Sequence, residues 1–525
     1  MKRIILLIVM LAAGELFAQQ IKVNWGVEFK NDKKETISDV IHDDGTNIYS
    51  TVIARTGGGL FSKLTITPAL VKFDNTMQPI KRFDFITNEK DVHYQGAYYL
   101  GGKFFFITDL FNKRTNTLEL YAQKIDKDLN PEGENMMIWK IIGVKGEETK
   151  FKFSFSEDST KFLIFVQAKQ KRKEMKDLAL KVFDGKFNTF FEKNIEYPYT
   201  EEGMVIKNCQ VTNGNEVYAI LKVYKEGKAG KDEIKENGKK VPGYDIIIKR
   251  YSPDGTEKEV TVDMGGRFLD EWWATDDHFG NLHLFASYEE EFEKGINGFV
   301  FMKLDPKTGQ IISQSNWQIP MELSIRIALI QDDKSKSKTP AINRKFGITD
   351  LKVNDDETVS VILEKNYVVV YTTGGMNGQP SYTHYVYNSE GMIALNIDKS
   401  GTVSWYKYLP KIQQSEATTR YMYHAAMFYK DKIYVLFNDE IKNESYDYLN
   451  GKKSPKRFTD RKKMNLMMAI IDKDGNATFS LVGNAESMET TIDINLSKQI
   501  SKSRMMLCGY RYKNDEVKLG TADFE

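Results

Sequence analysis

The stretch "DKDGN", Asp472 to Asn476, sets carboxylates at alternate positions, the spacing with which a loop wraps a calcium ion. It lacks the later bidentate glutamate. A turn in which Asp binds its own backbone and Gly takes a positive φ fits it better, and the same holds for "DDG" at Asp43. The six histidines, His42, His93, His278, His283, His384 and His424, fall in five different repeat units, so no metal site is expected of them. G-x-S-x-G, H-E-x-x-H, the P-loop and C-x-x-C do not occur. "SPDGTEKEV" has neither the spacing nor the Trp of a sialidase Asp box. No catalytic residue, metal ligand or cofactor is therefore expected. Scattered carboxylates still leave an acid–base pair in a central channel open, and with it a polysaccharide hydrolase or lyase as the alternative to a non-enzymatic protein.

Other residues suit binding. "DEWWATDD" holds Trp272 and Trp273, "GQPSYTHYVY" holds Tyr382, His384 and Tyr385, and "SYDYL" holds Tyr446 and Tyr448, followed by Lys452, Lys453, Lys456 and Arg457. Tyr and Trp give large contact area at low entropy cost. Neighbours on a strand face opposite ways, so one Trp of the pair is expected buried and the other partly exposed. Four stretches, about 169–177, 225–243, 332–345 and 439–464, together carry an excess of eleven positive charges. Such segregation steers an anionic partner over a screening length of about 8 Å; well-solvated surface loops would show the same composition.

The N-terminus bears on the compartment. Lys2 and Arg3 precede "IILLIVMLAAG", which predicts a secretory signal over residues 1–18 with cleavage after Ala18. The apolar run is about half the ~20 residues a spanning helix needs, and no other stretch would cross a membrane. No Cys follows it, which argues against a lipid anchor. Removing 1–18 takes away two bases and one acid and leaves a net charge of zero. That balance argues against a nucleic-acid partner. Cys209 and Cys508 sit in apolar segments and are expected to be free buried thiols.

The elements that must position these residues repeat. A polar turn followed by an apolar run occurs eight times, the runs starting near Ile48, Phe104, Phe162, Val217, Leu282, Val359, Ile433 and Met505. A strand pair with a D-x-x-G turn follows, as in "FMKLDPKTGQII" and "ALNIDKSGTVSW". No segment after the signal shows a helical period. Four antiparallel strands per unit of roughly 50 residues or more predict an all-β chain, a β-propeller over 19–525, with eight blades or, alternatively, seven. The last unit lacks a fourth strand, and "IKVNWGVEFK" at Ile21 is expected to supply it. Loops after the second and fourth strands of each unit emerge on one face, which is therefore the candidate binding face.

"KLDPKTGQII" and "IDKSGTVSW" resemble the D-x-x-G-x-x-x-W turns of eight-bladed quinoprotein propellers, and of the propeller lipoprotein of the outer-membrane barrel-assembly machinery. "SEDSTKFLIF" resembles the strand pairs of propellers similar to the translocation protein TolB. In the quinoprotein family the Trp docks one blade on the next; Trp405 and Trp25 match it here, and Phe479 replaces it once. The vicinal Cys pair of the quinoprotein dehydrogenases is missing. The expectation is an exported propeller, in the periplasm or at the outer surface, that binds an envelope protein or an anionic glycan. Its oligomeric state cannot be read from the sequence.

Overall fold

Each apolar run becomes the second strand of a four-stranded antiparallel sheet. In the computed structural model these strands are Ile48–Thr56, Lys103–Asn112, Lys161–Val166, Val217–Tyr224, Leu282–Glu289, Val359–Gly374, Lys432–Glu440 and Arg504–Tyr510. Each begins within one residue of the start expected from sequence. The structure describes residues 21, 23–28, 35–56, 65–85, 92–142, 149–167, 174–330, 341–374, 381–416, 418–511 and 516–524. The expected signal, 1–18, and most of the basic stretches 169–177 and 332–345 lie outside the described residues.

Among the described residues there are eight four-stranded sheets and one two-stranded hairpin, Glu233–Glu236 with Lys239–Pro242. The first strands, in chain order, are Glu35–Asp43, Val92–Leu100, Phe151–Phe155, Met204–Val211, Phe268–Asp276, Phe346–Val353, Ala425–Tyr429 and Thr491–Ser501. They number the sheets one to eight below. Second strands are apolar along their length because both faces of each sheet are covered: every residue of Val217–Tyr224 and Leu282–Glu289 is buried. A fourth strand such as Ile311–Gln318 alternates half-buried and exposed positions, the period of a strand with one wet face.

Eight apolar clusters fill the seams, each shared by two adjacent sheets. One joins Ile37, Val40 and Val52 of the first sheet to Met506, Cys508 and Leu519 of the eighth, so the ring closes. This is an all-β propeller. The eighth sheet is completed by Val23–Trp25, with Val23 opposite Ala522, Asn24 opposite Thr521 and Trp25 opposite Gly520. The Gly26 N–H donates to the Leu519 carbonyl at 2.9 Å.

The D-x-x-G turns dock on neighbouring sheets. Gly475 has φ +79°, and a Cβ there would stand 2.6 Å from Trp405 Cγ. The Trp405 indole N–H donates to the Lys473 carbonyl at 2.8 Å. One seam earlier Ser315 takes that place, donating to the Gly401 carbonyl, and in the seam before it Arg250 and Lys258 pack on Gly309. The dock recurs with different side chains, so a single Trp is its only sequence mark.

Two expectations are corrected. A helix, Met321–Ile330, stands between the fifth and sixth sheets, with Leu323, Ile327 and Ile330 buried on one face; that spacing is helical and is legible in "MELSIRIALI". The sixth sheet's second and third strands run far beyond the sheet, over Val359–Gly374 and Ser381–Ile397, where a short strand and a loop were expected. Cys209 and Cys508 are free and buried, in the fourth and eighth sheets. Burial pushes the Cys209 thiol up to about 12. Among the described residues no helix is long and apolar enough to cross a membrane.

Candidate functional site

The first strands surround the axis of the ring, and five of them carry the same irregularity. Register shifts leave the fourth residue of the strand unpaired: Ser38, Gln95, Lys207, Glu271 and Thr349. A bulge re-aims a side chain and bends its strand. These bulges set polar groups at one level of the channel. Ser38 Oγ lies 2.8 Å from Thr51 Oγ1. Gln95 donates to Asp109 at 2.7 Å, and His93 stands 3.2 Å from the same carboxylate. Lys207 pairs with Asp270 at 2.9 Å. Glu271 has φ +47°, and its acidity is weakened by burial and then by Asp270. At the tight-turn end, Asp276 accepts from the Glu157 and Asn213 backbone N–H groups at 3.0 and 2.5 Å, and Lys352 reaches Glu157 at 3.1 Å. One turn of the third sheet is thus tied to the fifth and sixth. Burial raises Asp276 to about 6.

The sixth and seventh sheets enclose an ionic set around Glu364. Lys411 pairs with it, Ser389 Oγ donates to it at 2.8 Å and Asn366 at 3.1 Å. His424 lies between Glu364 and Asp350, at 3.1 and 2.8 Å. Burial alone would raise the Glu364 pKa; Lys411 and His424 hold it well below the usual carboxylate range. Burial alone would lower His424; the two carboxylates raise it to about 9. The imidazolium therefore bridges two anions and is not free to act as a base near neutral pH.

The insertions gather at the opposite end from the tight turns. The stretch 441–463 follows the seventh sheet's second strand and folds against helix Met321–Ile330. Arg326 donates to the Tyr448 carbonyl at 3.1 Å and also to that of Leu449, Ser454 Oγ donates to the Ile330 carbonyl, and Tyr406 donates to Glu322 at 2.8 Å. The helix carries apolar side chains on both faces, interrupted by Glu322, Ser324 and Arg326. Its inner face is buried, while Met321, Ile325 and Leu329 are 39%, 50% and 52% exposed, with Leu449 beside them at 36%. A helix apolar on both sides is ordinarily covered on both.

The residues expected to bind are divided among three places. Tyr382 and Tyr385 are 61% and 51% exposed on the sixth sheet's projecting hairpin, and His384 stacks there on Tyr371 at 4.9 Å. Lys452, Lys453, Lys456 and Arg457 are exposed on the 441–463 insertion, and Arg457 donates to Gln414 at 3.0 Å. Tyr448 is only 4% exposed; it stacks on Phe479 at 4.6 Å and donates to Asp439. Tyr446 is half-buried and donates to the Lys453 carbonyl at 2.8 Å. The tyrosines of "SYDYL" thus build the insertion's own core. Trp272 and Trp273 are both half-buried, in the seams towards the fourth and the sixth sheet respectively, not one buried and one partly exposed. In the 225–243 hairpin, Lys231 pairs with Glu226, Lys240 with Glu233 and Lys225 with Glu236, so much of its charge is neutralised locally. Met321, Ile325 and Leu329 were missed by sequence reading. Among the described residues no group of three or more His, Cys, Asp or Glu could hold a metal ion.

No family model and no curated protein matches the chain. Among solved structures it is similar to the β-propeller domain of the Trilobed protease from Pyrococcus furiosus, at 13% identity over 87% of this chain and 97% of that one, TM-score 0.34. It is similar to an oligogalacturonate lyase in complex with manganese, at 9% identity over 96% and 97%, TM-score 0.35. It is also similar to the Cps50 (Swd1) β-propeller domain of Myceliophteria thermophila, at 8% identity over 95% and 99%, TM-score 0.30.

Proposed function

We propose that this is an exported, non-enzymatic β-propeller that binds a protein partner in the cell envelope through the face bearing the insertions. The observation that carries the reading is the helix Met321–Ile330, held in place by the 441–463 insertion with Met321, Ile325 and Leu329 turned to solvent. Apolar residues grouped on a braced element mark an interaction surface. Lys452, Lys453, Lys456 and Arg457 lie on the bracing insertion and suit an acidic rim on the partner. The secretory signal expected from sequence over residues 1–18 supports export, and the tight turns of the other face leave it the smoother one.

The test is capture from envelope extract with the mature chain and with Met321→Ser/Ile325→Ser/Leu329→Ser. The triple variant is expected to lose the captured protein while keeping its unfolding midpoint. Reversal of the four basic residues to Glu is expected to slow association and flatten its salt dependence. Equal capture by wild type and triple variant would overturn the reading. The channel carboxylates support a second reading, a polysaccharide hydrolase or lyase, because Glu271 has a left-handed backbone and is weakened as an acid by its surroundings and then by Asp270. Sugar release from envelope polysaccharides that disappears in Glu271→Gln would favour it.

A further inference from the structure

The sixth sheet's hairpin outruns its sheet. Its inner neighbour last pairs at Phe346 with Lys365, and the Asn366 N–H donates to the Lys345 carbonyl at 3.1 Å. Its outer neighbour last pairs at Ser415 with Tyr387. Beyond those points Val369–Gly374 and Ser381–Val386 pair as strands only with each other, among the described residues, from Val369 opposite Val386 to Gly374 opposite Ser381, while the Tyr367 hydroxyl at the base donates to Glu390 at 2.7 Å. Val368, Val369, Val370 and Tyr371 are 47%, 45%, 55% and 42% exposed. Four consecutive exposed residues mean that both faces of the ribbon are wet.

Such an edge is normally blunted by charge, proline or a bulge. A charge meets only the start of this edge, where the Lys345 ammonium lies 3.9 Å from the centre of the Tyr367 ring; among the described residues, none of these devices follows from Val368 to Gly374. "YVVVYTTG" and "SYTHYV" carry no Lys, Arg, Asp or Glu in a chain that is 28% charged, and the only register shift of this strand pair lies at the base, between Glu364 and Lys365. A two-stranded ribbon is marginal in water, whereas three or more strands with an apolar face hold together. The missing strand must be extended, uncharged and rich in β-branched or aromatic residues.

We propose that a second copy of this chain supplies it, the two Tyr367–Gly374 edges pairing antiparallel about Val370. The edge is complementary to itself. In that register Val370 faces the second copy's Val370, Val369 its Tyr371, Val368 its Thr372 and Tyr367 its Thr373. Each is an uncharged pair of β-branched or aromatic residues, the kind that stabilises neighbouring strands. Two ribbons become one four-stranded sheet across a twofold axis. The whole chain's net charge of +1 does not oppose the approach. This surface is separate from the helix platform, and the two stand or fall independently.

Sedimentation velocity on the mature chain tests it, with Val370→Lys, Val370→Glu and their equal mixture. Wild type is expected to dimerise with rising concentration. Each single variant is expected to be monomeric at concentrations where wild type is dimeric, its dimer weakened at least about tenfold by like charges across the axis. The mixture is expected to recover the dimer, which also shows that both variants are folded. Met321→Ser/Ile325→Ser/Leu329→Ser is expected to dimerise as wild type does. A wild type that stays monomeric up to about 100 μM, where a micromolar dimer would be nearly saturated, overturns the proposal and leaves the edge to a strand of another protein. Variants that dimerise like wild type overturn it as well.

Discussion

Glu364 and Asp493 are equally hidden, each 1% exposed, yet their acidities move in opposite directions. Burial acts first at both and raises both. At Glu364 it is outweighed by Lys411 and His424. At Asp493 the opposition is Arg420, whose Nε stands 3.9 Å away, and the backbone of Leu496 and Asn495, and the pKa climbs to about 7. Depth therefore does not set the charge of a buried carboxylate; the donors reaching it do. The Glu364 set joins two sheets through fixed charge. Asp493 gives the first strand of the eighth sheet a group whose charge changes near neutral pH.

Removing Lys411 should break that contrast most severely. Lys411→Met leaves Glu364 buried with His424 as its one cationic partner, and a loss of about 3–5 kcal/mol in denaturant unfolding is expected. A loss under about 1 kcal/mol would mean that His424 alone suffices to keep Glu364 ionised.

Both sites should make stability fall as pH rises, in different windows. The unfolded chain gives up the Asp493 proton near pH 4 and the folded chain keeps it to about 7. That contribution is full below pH 4 and lost between 4 and 7, at most about 4 kcal/mol at roughly 1.4 kcal/mol per unit. Asp493→Asn should shrink this window, leaving the shares of Asp276 and Asp439, each raised to about 6, and be more stable than wild type at pH 8. His424, raised to about 9 from 6.5, contributes fully below pH 6.5 and loses its contribution by pH 9, about 3 kcal/mol. His424→Gln should flatten only the second window. Unfolding midpoints from pH 4 to 9 separate the two, and a single shared window would refute the assignment.

A pair of glycines sharpens the same point, that neighbours decide, for backbone. Gly45 has φ +87° with nothing within 4 Å of where an added methyl would stand, whereas Gly475 has φ +79° with Trp405 against it. Gly45→Ala should cost about 1–2 kcal/mol for its left-handed backbone alone, and Gly475→Ala about 1–3 kcal/mol more for overpacking. Trp405→Ala should cancel the excess in a double-mutant cycle. Equal costs at the two glycines would show that Trp405 yields freely.

The strand repeat was legible because its signals are local. Each second strand is a run of Ile, Val, Leu, Phe or Tyr opened by Asn, Asp or Gly, and each D-x-x-G turn closes on its own backbone: Asp472 accepts from Asp474 and Asn476 at 3.0 and 2.8 Å. The closing strand at Val23 was legible by subtraction from the last unit. The Glu364 set was not, because Asp350, Glu364, Ser389, Lys411 and His424 meet only once two sheets have packed. Nor was the burial of Tyr448, which depends on Asp439 and Phe479 from strands on either side of its insertion. The helix was legible in principle. Leu323, Ile327 and Ile330 keep helical spacing, but Met321, Ile325 and Leu329 fill the other face and blur the pattern.

Ribosomal order gives the closing strand a further meaning. Val23 and Ala522 are partners, so the first half of that pair is made almost five hundred residues before the second. At roughly 5–20 residues per second, Val23–Trp25 waits on the order of half a minute or longer while the other sheets are assembled. Its mate in the eighth sheet follows the other seven sheets in the chain, and the strand can find no native partner sooner. Sealing the ring is then a late step over a very long loop, the kind of contact that slows folding. A chain interrupted a few dozen residues early would keep most of its sheets and lose the seal, leaving the first sheet's Ile37, Val40 and Val52 without the eighth-sheet residues that cover them.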